Sequence, residues 1–160
     1  MKRIALFAAV VLALCSCGRK ANWPDLPLAE VTDVFPDATS VETIDTAYYN
    51  VKKGDAVLGI VLFSSPYSDA VTGYAGATPL RIVLDENGKI KEVKLLENND
   101  TPRFVQRVAD GGLFEAWNGM TVEEALKANV DAVSGATFTS SGVKDSLKAR
   151  LEAYLRQLKQ

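Results

Sequence analysis

The strongest constraint on the fold lies near the middle of the chain. Leu80, Ile82 and Leu84 alternate with Arg81, Val83 and Asp85, and the run Asp85, Glu86, Asn87, Gly88, Lys89 follows. Alternation with a period of two marks a strand that turns one face to a core. An Asn-Gly pair supplies the backbone angles of a tight hairpin turn. The chain must therefore return antiparallel over residues 90–96. There the apolar positions Ile90, Val93 and Leu95 slip phase by one residue, as they would across a β-bulge.

The flanking segments extend this sheet. Residues 56–63 are continuously apolar and suit a strand buried on both faces. Residues 41–49 mix β-branched and aromatic side chains and read as one strand, with a turn at Lys52, Lys53, Gly54 and Asp55 that allows a hairpin with residues 56–63. Leu28, Val31, Val34 and Phe35 recur at helical spacing until Pro36, which predicts a short amphipathic helix. Thr101 followed by Pro102 is a helix start. Phe104, Val105 and Val108 form that helix's buried face, and Gly111 and Gly112 end it. Thr121 and Glu124 match a capping box for a further short helix holding Ala125 and Leu126. Leu113, Phe114 and Trp117 before it read as core. Val143, Leu147, Leu151, Tyr154, Leu155 and Leu158 keep one face of a long C-terminal helix, with Lys148, Glu152 and Arg156 paired at i,i+4 on its solvent side. The expected fold class is α+β: one domain, an antiparallel sheet with short helices at its edges and one face, and a long C-terminal helix.

Composition removes several function classes. The 160 residues include no histidine, which excludes Ser-His-Asp and Cys-His catalysis and His-ligated metal sites. The two cysteines, Cys15 and Cys17, both precede the domain. A net charge of −2 suggests no basic face for nucleic acid. Lys2 and Arg3 followed by the apolar run 4–14 form an export signal, too short to span a bilayer as a mature helix. Leu14, Ser16, Cys17 and Gly18 resemble a bacterial lipobox with Cys17 as the lipidated residue. A plain signal peptide cut elsewhere is the alternative. The expected organisation is a lipoprotein signal over 1–16, a lipidated tether over 17–27 and a domain over 28–160. The protein would sit outside the cytoplasm, in a bacterial cell envelope, held to a membrane by acyl chains.

Chemistry concentrates in residues 131–141. Asp131 leads Ser134, Gly135, Ala136, Thr137, Phe138, Thr139, Ser140 and Ser141, just before the C-terminal helix. Small residues let a ligand approach the backbone, and a helix start favours anions through its free N–H groups. This is the composition of a phosphate-handling loop. A hydroxyl-rich N-cap with no ligand has the same composition and is the simpler reading of it. Residues 64–79 form a Ser-, Gly- and Pro-rich loop in which Gly73 and Gly76 bracket Tyr74. Two glycines beside a tyrosine suit a ring-shaped ligand, or a simple surface turn.

Asp131, Ser134, Gly135, Ala136 and Thr137, followed by Phe138, Thr139 and Ser140, resemble the covalent flavinylation motif of the FMN-binding domain family. That family includes the C subunit of the sodium-pumping NADH:quinone oxidoreductase and the G subunit of the Rnf complex. Gly73, Tyr74, Ala75 and Gly76 before the hairpin, and Asn99, Asp100, Thr101 and Pro102 after it, are similar to further family segments in the same order. Two positions depart from the pattern: Asp100 stands where the family usually has Glu, and Arg103 where it has Gly. The family's respiratory subunits also carry an N-terminal membrane helix, where this chain has a lipobox.

The resemblance implies an FMN joined by a phosphoester to the Thr137 hydroxyl, attached by a separate flavin transferase that uses FAD and Mg²⁺. It implies that Ser134, Gly135 and Ala136 shape the turn and that Thr139, Ser140 and the helix start hold the phosphate. Asp131 would mark the motif for the transferase or cap the loop. Tyr74, Gly76, Thr101 and Pro102 are the implied contacts of the flavin ring. The expected role is an electron carrier that works with redox partner proteins. A non-covalent flavin module and a ligand-free structural lipoprotein are the alternatives.

Overall fold

The computed structural model describes residues 23–159; the segments expected as an export signal and lipobox, with Cys17, lie outside the described residues. Five strands form a single antiparallel meander in chain order: β1 (Ser40–Asp45), β2 (Tyr48–Lys53), β3 (Ala56–Phe63), β4 (Leu80–Asp85) and β5 (Ile90–Leu95). Three helices follow: α1 (Pro102–Asp110), α2 (Val122–Lys127) and α3 (Thr137–Gln157). The fold is α+β in one domain, as the patterning requires.

The central hairpin forms as expected. Gly88 takes φ +73° in the turn, and the Asp85 carboxylate accepts the N–H groups of Asn87 and Lys89 at 2.8 and 2.9 Å. Leu84 pairs with Ile90 but Val83 pairs with Glu92, so Lys91 is the extra residue of a bulge in β5. That bulge explains the slipped phase of the apolar positions.

The three helices cover one face of the sheet, as expected, and the N-terminal segment covers the other. Leu62, Ile82, Leu84 and Val93 pack under the helices with Val108, Trp117, Val143, Leu147 and Leu151. Val51, Val61 and Val83 face the other way, against Leu26, Val31 and Phe35. This N-terminal cover is not the predicted amphipathic helix. It is a single 3-10 turn, Leu28–Glu30, with further turns up to Phe35. The extended path lets the Phe35 ring reach Gly59, where it occupies the space a Cβ would need. The same cover explains why Arg81 is buried within a strand. Its guanidinium bonds Asp33 and Glu92, both at 2.7 Å, and the Glu30 carbonyl at 2.9 Å. Residues 24–26, expected as part of a tether, lie on this face. Tyr49 Oη donates to the Pro24 carbonyl at 2.9 Å, Thr43 Oγ1 donates to Asp25, and Leu26 is buried.

The single strand expected over 41–49 is two strands. A two-residue turn at Thr46 and Ala47 separates β1 from β2, with Ala47 at φ +52°. Neither residue announces such a turn, for which Asn and Gly are the usual choices. The Asp45 carboxylate accepts the Thr46 N–H at 2.7 Å, and Arg150 of α3 donates to the Ala47 carbonyl at 2.9 Å. A distant side chain therefore helps hold this turn. The capping box of α2 is complete, with Thr121 and Glu124 each bonding the other's backbone N–H. Thr101 stands at the N-cap of α1, but its side chain makes no capping bond.

Candidate functional site

The site forms where three sequence segments meet at the start of α3. Residues 131–136 approach as a tight loop. Gly135 takes φ +77°, and the Ala136 N–H bonds the Val133 carbonyl at 3.0 Å. Ser140 locks the loop from inside: its hydroxyl donates to the Ala136 carbonyl at 2.9 Å and accepts the Val133 N–H at 3.0 Å. The N-cap residue of α3 is Ala136, which offers no capping group. The hydroxyl-rich N-cap reading therefore fails on geometry. Ser140 N–H bonds Ala136 O, so the N–H groups of Thr137, Phe138 and Thr139 begin the helix without intrahelical acceptors. Positive dipole and free donors point outward there.

The second segment is the loop after β3. Ser64 and Ser68 are buried and bonded to one another at 2.8 Å, and Thr78 meets Ser146 of α3 at 2.9 Å. A turn closes the loop tip, with Gly73 N–H on the Gly76 carbonyl at 2.7 Å, and presents Tyr74 and Ala75. This tip is pressed against α3. A Cβ on Gly142 would lie 2.8 Å from the Gly73 Cα, and one on Gly73 would strike the Asp100 carboxylate. Glycine at both positions allows this backbone-to-backbone approach.

The third segment supplies the tie. Asp100 is buried, and its carboxylate accepts four hydrogen bonds: Tyr74 N–H at 3.1 Å, Ala75 N–H at 3.0 Å, Thr101 N–H at 2.8 Å and Thr139 Oγ1 at 2.8 Å. Burial pushes the Asp100 carboxyl up. The Thr139 hydroxyl and the N–H groups of Thr101, Tyr74 and Ala75 outweigh it and hold the group below its ordinary value. One carboxylate thus joins the Tyr74 loop, the start of α1 and the first turn of α3.

A cleft of about 230 Å³ opens at this junction, lined by Tyr74, Phe104, Gly135, Ala136, Thr137, Phe138 and Thr139. Tyr74 is 56% exposed and Phe138 69%, so these aromatics form an apolar rim rather than core. The Tyr74 ring packs edge-on to Phe104 at 4.8 Å and lies 6.4 Å from Phe138. Phe104, expected on the buried face of α1, is half-buried and belongs to this rim. Thr137 stands exposed at the first position of α3.

Of the residues singled out in sequence, Thr137, Gly135, Ala136, Thr139 and Tyr74 line the cleft. Thr139 and Ser140 were expected to hold a phosphate, but both side chains are fully buried. Their hydroxyls bond Asp100 and the Ala136 carbonyl. Ser134 and Asp131 are exposed and outside the cleft lining. The Asp131 carboxylate accepts no hydrogen bond among the described residues, so it does not cap the loop. Gly76 packs on Asn99, while Thr101 and Pro102 start α1 beside the cleft without lining it. The sequence reading missed Asp100 as a linchpin, the facing pair Gly73 and Gly142, and Phe138. Phe138 did carry a signal: it is a large apolar side chain off the stripe of Val143, Leu147 and Leu151.

A family model described as the FMN-binding domain matches residues 73–152, half of the chain. The match runs from the Tyr74 loop through the β4–β5 hairpin, α1 and α2 to most of α3, and so contains the whole cleft. No curated protein matches the chain. The cleft lining and its uncapped helix start lie within the matched residues, and the chain belongs to the FMN-binding domain family.

Proposed function

We propose that this protein is a one-domain flavin carrier with FMN joined through its phosphate to Thr137 Oγ, and that it passes electrons between redox partner proteins at a membrane surface. The observation that carries this reading is the position of Thr137. It is an exposed hydroxyl at the first residue of a helix whose first free amides have no cap, on the wall of the cleft. Those amides suit an anionic phosphate. The rim of Tyr74, Phe104 and Phe138 suits a flat aromatic ring, with edge and tilted contacts available.

The cleft is smaller than the roughly 300–1,000 Å³ of pockets that enclose a ligand. A ring held there keeps part of its surface open, which suits electron transfer to a docked partner. The redox chemistry belongs to the flavin, and the chain's contribution is placement. Attachment requires a flavin transferase. The Thr137 Oγ–phosphorus bond forms as the phosphoanhydride of FAD breaks. AMP leaves, and the hydroxyl proton passes to solvent or a base of the transferase.

Co-production of the full chain with a flavin transferase tests the link. Flavin fluorescence should stay on the polypeptide through denaturing electrophoresis and fall to background in Thr137→Ala. Flavin that leaves the unsubstituted chain on denaturation would refute the covalent bond and favour a non-covalent module.

The membrane location rests on the run of residues 4–14 and on Leu14, Ser16 and Cys17. Cys17→Ser should move the protein from the membrane fraction to the soluble fraction of the cell envelope. Undiminished membrane retention would count against a lipid anchor at that residue.

A further inference from the structure

The geometry points to Arg107 as a phosphate-binding residue of this site, its guanidinium meeting the phosphate that Thr137 carries; the inference rests on the flavin reading above. Arg107 lies in the last turn of α1, away in sequence from the Thr137 loop. Its side chain crosses to that loop. Nη1 donates to the Gly135 carbonyl at 3.4 Å, and a Cβ on residue 135 would fall on Nη1. The glycine therefore leaves the space in which the guanidinium sits. The end of α1 is held there by packing of Gly111 against Val133, where a Cβ would come within 2.7 Å of the Val133 methyls.

This contact leaves the guanidinium nearly unspent. Arginine has five N–H donors in a planar fork. Arg107 makes one long bond and no ion pair with any carboxylate among the described residues. Its neighbour Arg103 differs: that guanidinium stacks on the Phe104 ring at 4.6 Å. An arginine serving only the helix dipole would have no need to reach over another segment's glycine. Two residues beyond that glycine stands Thr137, and the free amides of Thr137, Phe138 and Thr139 begin α3. A phosphodiester at Thr137 is anionic at neutral pH. Amides and a guanidinium fork are its strongest protein partners.

The test uses the full chain co-produced with a flavin transferase and reads the phosphorus resonance by ³¹P NMR. In Arg107→Gln the resonance should move toward that of a flavin phosphodiester free in water, with Arg107→Lys between the two. A folded Arg107→Gln chain that takes up no flavin while Arg107→Lys does would show the same need for charge at the loading step. Any other pattern overturns the assignment to Arg107, whether an unmoved resonance or Gln and Lys variants that behave alike. Absence of a covalent phosphorus signal from the unsubstituted chain would instead strike down the flavin tether itself.

Discussion

Asp100→Ala should lower the stability of the domain by about 3 kcal/mol and free the Tyr74 loop from α3. The carboxylate accepts four hydrogen bonds in a buried position, and each donor stranded by its loss costs about 1–3 kcal/mol. The sum is not reached, because the N–H groups of Tyr74 and Ala75 regain water once the loop lifts. The Thr139 hydroxyl, fully buried, does not. Urea denaturation measures the loss, and hydrogen exchange at Tyr74 and Ala75 should accelerate more than at the β4 amides. Uniform acceleration across the sheet would mean that Asp100 supports the fold generally rather than this junction.

The same residue makes the acid limb of stability informative. Its folded-state pKa lies below the unfolded value of about 3.9. A depressed carboxyl contributes stability that is fully present above the unfolded value and is lost as pH falls through the folded one. Stability should therefore drop below about pH 4 in the normal chain and drop less steeply in Asp100→Asn. Parallel acid limbs for the two proteins would remove Asp100 from this account.

Arg150→Ala should cost a similar amount, about 3–4 kcal/mol, through a different mechanism. Arg150 is fully buried in α3, with no carboxylate bonded to it among the described residues. Nη2 donates to the Ala47 carbonyl at 2.9 Å, Nη1 donates to Gln157 Oε1 at 3.0 Å, and the guanidinium lies 4.9 Å over the Tyr67 ring. Gln157 in turn donates to the Thr46 carbonyl and to Tyr67, both at 3.0 Å. The pair pins the β1–β2 turn and the loop after β3 to the long helix. Burial pushes the Arg150 guanidinium down to about 10, so it remains charged at neutral pH and its desolvation opposes folding.

Truncation to alanine leaves a cavity and removes one of the two donors on the Ala47 carbonyl, which keeps the Phe63 N–H at 3.1 Å. Arg150→Met fills most of the volume and removes the buried charge, so its loss should stay within about 1 kcal/mol. Denaturation midpoints of the two variants separate these contributions. Equal losses would show that the hydrogen bonds to the turn outweigh packing and desolvation together.

Much of this architecture was legible in local chemistry. The Asp85–Lys89 turn, the phase slip that became the Lys91 bulge, the Thr121–Glu124 capping box and the stripe of α3 as far as Tyr154 each follow from residues close in sequence; Leu158, expected on that stripe, lies past the helix end and is exposed. Period-two and period-3.6 patterns report burial, and turns report backbone angles. The loop around Thr137 was also legible, because small residues and hydroxyls before a helix are a local composition. Three readings went differently. The turn at Thr46 and Ala47, the non-helical cover over residues 28–35, and the inward side chain of Thr139 depend on partners far along the chain, whereas Ser140 turns inward onto the nearby Val133 N–H and Ala136 carbonyl. Arg150 bonds Ala47 across 103 positions, and Asp100 bonds Thr139 across 39.

By itself the sequence determined an antiparallel α+β domain and a loop of small and hydroxyl residues before its last helix. Only the tertiary structure decided which groups face that place. Asp100 is spent joining three segments, and the hydroxyls of Thr139 and Ser140 are spent holding the loop. Thr137, the free amides, the aromatic rim and Arg107 are left facing outward. Hydrogen-bond capacity is finite, and a polar group satisfied inside the protein is unavailable to a ligand. For Asp100 and Thr139 that pairing is made between residues remote in sequence, where no local pattern records it.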